Sequence, residues 1–194
     1  MALRKIYTNA SDEELAALYS LNLLVSSDIE EVAVKWMLDE KGSSEVAFLA
    51  SRTHPSLNVI RNEVEKAFSE IKIEIPCKKT ALKKILKFHL KQILVCQDDY
   101  MAHLTELVEL DRSYAGRIVL FERPDCDEHF KKYALKYLNS KSKKFVGQEF
   151  GIEKLYGLYY WEDDFDRWTR KLEKKRRRKV IEETNLVLDR FYKG

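Results

Sequence analysis

Apolar residues recur along this chain at helical spacing over most of its length. Ser11-Asp-Glu-Glu14 is a capping box ahead of Leu15, Leu18 and Tyr19, and predicts a first helix to about residue 23 or 24. A second box, Ser27-Asp-Ile-Glu30, predicts a helix with Ile29, Val32, Ala33, Trp36 and Met37 inward. That helix should stop at Lys41-Gly42. A short third helix is expected over about 44–52. Pro55 reads as a helix start, where its missing N–H costs nothing, and Leu57, Ile60, Val64, Ala67, Phe68 and Ile71 mark a fourth helix. Short connections make neighbouring helices antiparallel, so these four elements read as two helical hairpins. No sequence period repeats, so a solenoid is not inferred.

Ile71, Ile73 and Ile75 alternate as far as Pro76, which suits a short strand or an extended linker. Within a single domain of 194 residues this is the natural subdivision, into 1–75 and 76–194. From Lys78 to about Val95 runs a basic amphipathic helix. Leu82, Ile85, Leu86, His89, Leu90 and Ile93 point inward, and Lys79, Lys83, Lys84, Lys87 and Lys91 fall mostly outside. The next helix carries Tyr100, Met101, Leu104, Leu107 and Val108 on its stripe. Residues 117–121 form a short apolar run that could pair with 71–75 as a two-stranded ribbon. Pro124-Asp125 opens a further helix with Phe130, Ala134, Tyr137 and Leu138, and 139–144 is a polar, basic loop.

The most specific stretch comes last. Ile152, Leu155, Tyr156, Tyr159 and Tyr160 share one helix face, with Gly157 inside the pattern. Glu162, Asp163 and Asp164 suit the positive N-terminus of a long helix over about 163–191. Phe165, Trp168 and Leu172 begin its stripe, which then fails: residues 173–179 hold no apolar side chain. Val180, Leu186, Val187 and Phe191 resume it. The predicted fold is therefore mainly α, with seven to nine helices as antiparallel hairpins in a bundle or short irregular array, and at most one small ribbon.

Charge changes the picture by its zoning. The net charge is only +3. Yet residues 11–50 carry nine acids against two bases, and residues 72–92 carry seven Lys against Glu74. Residues 131–144 carry six Lys and no acid, and residues 167–179 carry nine bases against Glu173. Such zoning gives a dipolar field that steers charged partners. Cys77, Cys96 and Cys126 are too few and too scattered for a disulfide framework, which fits a reducing cytoplasm. The first residues lack the apolar run of a signal peptide, and no run approaches a membrane span.

Chemical apparatus is sparse. The chain has no phosphate-binding glycine loop, nucleophile elbow, zinc-protease helix or calcium loop. His54, His89, His103 and His129 are scattered. Cys126/His129 and Asp99/His103 each supply two donors, where zinc sites use three or four. Of the acids near 162–166, only Glu162 and Asp166 share a helix face. No catalytic residue, metal ligand or cofactor is assigned.

Leu-Leu-Val-Ser-Ser-Asp-Ile-Glu-Glu-Val-Ala, residues 23–33, resembles the early helices of small bacterial helical proteins of the immunity type, over about the first 50 residues. The resemblance implies a binding protein without catalysis of its own, one that neutralises a cognate toxin in the cytosol. The leading expectation is thus a non-enzymatic cytoplasmic interaction protein with a protein partner. Tyr159, Tyr160, Trp161, Arg176, Arg177 and Arg178 are its candidate contacts, aromatics anchoring and charge steering. The alternative is RNA or DNA binding through the basic helices 78–95 and 167–179, with Lys83, Lys87, Lys175, Arg176, Arg177 and Arg178 on phosphates.

Overall fold

A computed structural model describes residues 5–51, 56–95, 99–114, Leu155, Tyr159 and 170–193. Among them are a 3-10 turn, Lys5–Tyr7, and seven α-helices, with no strand. The helices are α1 (Asp12–Ser20), α2 (Ser26–Leu38), α3 (Ser44–Ser51), α4 (Arg61–Glu70), α5 (Lys78–Val95), α6 (Tyr100–Tyr114) and α7 (Arg170–Lys193). The fold is mainly α. The chain forms two compact units, Met1–Ile85 and Leu86–Gly194, so the division falls inside α5.

In the first unit α2 packs on α3 and α3 on α4. The box at α1 forms as the sequence predicts: Glu14 N–H donates to Ser11 Oγ at 3.3 Å, and Ser11 N–H to Glu14 Oε2 at 2.8 Å. The start of α2 differs. Val25, not Ser27, holds the cap position, and its N–H donates to the Asp28 carboxylate at 2.8 Å. A valine has no side-chain acceptor, so only this half of a box exists.

Three helices end alike, and earlier than their apolar stripes suggest. Asn22, Glu40 and Lys72 take left-handed backbone, with φ of 57°, 58° and 61°. Beyond each turn an amide reaches back five positions: Leu23 to the Leu18 carbonyl, Lys41 to Trp36 and Ile73 to Phe68, at 2.9, 2.9 and 2.8 Å. These bonds satisfy carbonyls that helix ends otherwise leave open. The turn at Glu40 comes before Gly42, the expected stop. The turn at Lys72 makes Ile71 a helix cap, and the residues after it run without strand pairing. The ribbon's first strand is therefore absent, and 117–121 lies outside the described residues. Pro76 is held instead by Ser20 Oγ, which donates to its carbonyl at 2.7 Å. Pro55 also lies outside the description; α4 begins only at Arg61, after turns at 57–59.

Trp36 and Phe68 centre this unit's core, edge to face with ring centroids 5.1 Å apart, and Tyr19 tilts against Phe68 at 5.7 Å. Leu15, Leu18, Ile29, Val32, Ala33, Val46, Leu49 and Val64 pack there fully buried or nearly so. Met37, expected inward, is 45% exposed, because it stands about 100° round the helix from Trp36, at the edge of the buried face of α2. The Trp36 indole N–H donates to Asp12 Oδ1 at 2.8 Å, and Lys41 binds the other oxygen. Burial opposes the Asp12 charge, but the hydrogen bonds from Lys41 and Trp36 outweigh it and hold the carboxyl below its usual range.

Along α5, on both sides of the division, the buried face is as the spacing predicts. Leu82, Ile85, Leu86, His89, Leu90 and Ile93 are each fully buried. Ala81 and Phe88 are buried too, so α5 is covered over much more than one stripe. Lys83, Lys84 and Lys87 are accordingly half-buried, while Lys79 and Lys91 are exposed. On α6 the buried stripe is Tyr100, His103, Leu104, Leu107 and Leu110, with Met101 half-buried.

Candidate functional site

The basic run of α7 is a helix because Lys, Arg and Glu are good helix formers and because it keeps one buried stripe throughout. That stripe is Arg176, Val180, Thr184, Val187 and Leu188. The apolar pattern does fail between Leu172 and Val180, but the buried face does not. Arg176 fills the gap, with only 2% of its side chain exposed.

A buried guanidinium needs partners, since its desolvation otherwise costs several kcal/mol. Arg176 Nη2 donates to Glu173 Oε2 at 2.8 Å, one helical turn back. Its Nε donates to the Tyr100 hydroxyl at 3.1 Å, and that hydroxyl donates in turn to Glu173 Oε1. The three side chains close a ring that ties the start of α6 to α7. Burial and the Glu173 carboxylate push the Tyr100 hydroxyl up to about 12, against the pull of Arg176.

The outward face is left to four bases. Lys174, Lys175, Arg178 and Lys179 are exposed, and Arg177 is half-buried. They span about 7.5 Å of helix axis. Arg178 Nε also lies 3.4 Å from Glu182 Oε1, a solvated i,i+4 pair. Beyond it the same face carries Asn185, Leu186 and Asp189, so the basic patch is short and ends abruptly.

Lys87 is engaged at the other end of α7. Its Nζ stands 4.0 Å from the ring centroid of Tyr192. Tyr192 is seventeen residues past Lys175, or about 25 Å along the helix. The helix 78–95 and the basic run of α7 therefore do not pool their charge at Lys87. Lys83 is half-buried on α5. Tyr159 is helical and half-buried, while Tyr160 and Trp161 lie outside the described residues, as do Glu162, Asp166, Cys126 and His129.

Periodicity missed one polar pair altogether. His89 on α5 and His103 on α6 bring their Nδ1 atoms within 3.0 Å. Spacing alone pairs His103 with Asp99, one helical turn away. The signal was present, since both imidazoles fall on buried stripes, but nothing in the sequence says that the two stripes meet at those positions. Among the described residues no group of three or more His, Cys, Asp and Glu gathers to hold a metal. No helix among them is long and apolar enough to cross a membrane. Comparison with protein-family models, with curated proteins and with solved structures found no match.

Proposed function

We propose that this is a non-enzymatic interaction protein whose α7 presents a compact basic face to an acidic surface of a protein partner, in the manner of a cytosolic toxin-neutralising, immunity-type binder. The observation that carries the reading is the fate of the basic residues. Of Lys83, Lys87, Lys175, Arg176, Arg177 and Arg178, only Lys175 and Arg178 are exposed. The rest are half-buried or buried, Arg176 inside the Glu173–Tyr100 ring and Lys87 over Tyr192. A patch of about 7.5 Å closed off by Glu182 and Asp189 suits a localised acidic cluster better than a run of phosphates. Tyr159, Tyr160 and Trp161, earlier in the chain, supply the aromatic anchor of the same reading.

Low-salt affinity capture from the native host, with and without nuclease, tests it. A stoichiometric protein that survives nuclease and is lost with Lys175→Glu/Arg178→Glu supports the reading, and Trp161→Ala should weaken that complex by about 2 kcal/mol or more. Recovery of nucleic acid, with nothing left after nuclease, would replace it by RNA or DNA binding.

A further inference from the structure

The first unit carries a second exposed surface, of the opposite charge. The buried side of α2 is Ile29, Val32, Ala33 and Trp36. Its outward side should be polar in a helix that only covers a core. It is not. Val34, Met37 and Leu38 are 42%, 45% and 80% exposed. Their spacing, i, i+3 and i+4, puts them together on one face. The Met37 sulfur lies close to Gly42, where an added Cβ would stand 3.3 Å from it.

Acids rim this apolar face. Glu31, Asp39 and Glu40 are exposed and Glu30 is half-buried. Of the nearby bases, Lys41 is turned toward Asp12 and Asp39, and Lys35 flanks the face beside Leu38 and Glu31, within reach of the Asp12 charge. Three large apolar side chains within a ring of carboxylates disfavour a second copy of the same face, because pairing α2 with itself would bring like charges together. They suit a segment with apolar side chains on one side and Lys or Arg flanking them.

We infer that the outer face of α2 docks a basic amphipathic helix of a protein partner, with Val34, Met37 and Leu38 receiving its apolar side and Glu30, Glu31, Asp39 and Glu40 its cations. This shares with the proposed function only that the chain binds protein. The surface, the charge and the variants that test it are its own.

The test is a titration of the whole protein with a labelled synthetic helix of Leu and Lys in amphipathic order. Two controls accompany it, a scrambled peptide of the same composition and an analogue with Glu for Lys. The ordered basic peptide should bind, and the scrambled and acidic peptides should bind at least about tenfold more weakly. Val34→Ser/Leu38→Ser, both at exposed positions, should lower its affinity about tenfold or more, in line with the apolar area lost. Glu31→Lys/Glu40→Lys should do the same and remove the salt dependence. Lys175→Glu/Arg178→Glu on α7 should change nothing. Equal binding of the scrambled peptide, unchanged binding by Val34→Ser/Leu38→Ser, or no binding at all would each overturn the inference. A loss only with the α7 variant would overturn it too, while leaving the proposed function standing.

Discussion

Nδ1 of His89 lies 3.0 Å from Nδ1 of His103, and the two rings are 0% and 5% exposed. One hydrogen fits between two such nitrogens, so one ring donates and the other accepts, and burial favours the neutral form of both. Phe88 packs edge-on against each ring, at 5.2 and 6.0 Å. Burial, together with the charge each proton would bring to the other ring, lowers His89 to about 3. Burial lowers His103 as well, against the pull of Asp99.

The pair should make the protein acid-sensitive. In the unfolded chain the His89 imidazole takes its proton near 6.5, and in the folded one only near 3. The unfolded state therefore binds more protons between about pH 6.5 and 3, and stability falls as pH falls through that window. His89 contributes a slope of up to about 1.4 kcal/mol per pH unit, and His103, lowered too, adds to it in the same direction. Denaturant unfolding at a series of pH values measures it. His89→Leu should flatten the slope and, by orphaning the His103 nitrogen, cost about 1–3 kcal/mol at neutral pH. A slope that survives His89→Leu/His103→Leu would place the acid sensitivity elsewhere.

Arg176 should behave as a core residue and its neighbour as a surface one. Arg176→Ala leaves Tyr100 and Glu173 without their cation and should cost about 3–5 kcal/mol, the range for breaking a buried pair. Lys175→Ala should stay within about 0.5 kcal/mol of wild type. Thermal or chemical unfolding of the two variants side by side decides it, and equal losses would contradict the buried placement.

Tyr100→Phe removes the hydroxyl that links the other two groups of the ring. The expected cost is about 1–3 kcal/mol. The wild type should also lose stability as pH rises above 10, because the folded hydroxyl holds its proton up to about 12 while the unfolded one releases it near 10. The phenylalanine variant should lack that alkaline loss.

Glu40 and Lys72 sit at φ of 58° and 61°, where a Cβ crowds the backbone. Glycine has no such penalty but gives up more entropy on folding. Glu40→Gly and Lys72→Gly should each stabilise the fold by about 0.5–1 kcal/mol net, read as a higher unfolding midpoint. Lys72→Pro should be strongly destabilising, because proline cannot take that angle.

Asp12 joins α1 to α2 by accepting from Trp36 and Lys41. Asp12→Ala leaves the indole N–H of a fully buried tryptophan without its partner and should cost about 1–3 kcal/mol. A shift in Trp36 near-ultraviolet dichroism should accompany it. An unaltered signal at unaltered stability would remove this bond from the account.

The sequence by itself determined the parts that depend on near neighbours. The 3.6-residue period marked the inward face of α5 residue by residue, and the Ser11/Glu14 box marked the start of α1, because both act within a turn or two of helix. The mainly α class followed from summing such signals. Helix ends were less legible. A stripe of apolar residues can run past a stop, and Asn22, Glu40 and Lys72 are not the glycines that usually announce one. Only the tertiary structure decided which polar groups meet. His89 finds His103 from 14 positions away, Trp36 finds Asp12 from 24 and Arg176 finds Tyr100 from 76. Periodicity says which face of a helix is buried; the partner on that face is set by packing between helices. That is why six consecutive bases read alike in the chain while one of them, Arg176, lies inside the fold. A cation is buried where a distant hydroxyl and carboxylate outweigh its desolvation, and that balance exists only after the helices have packed.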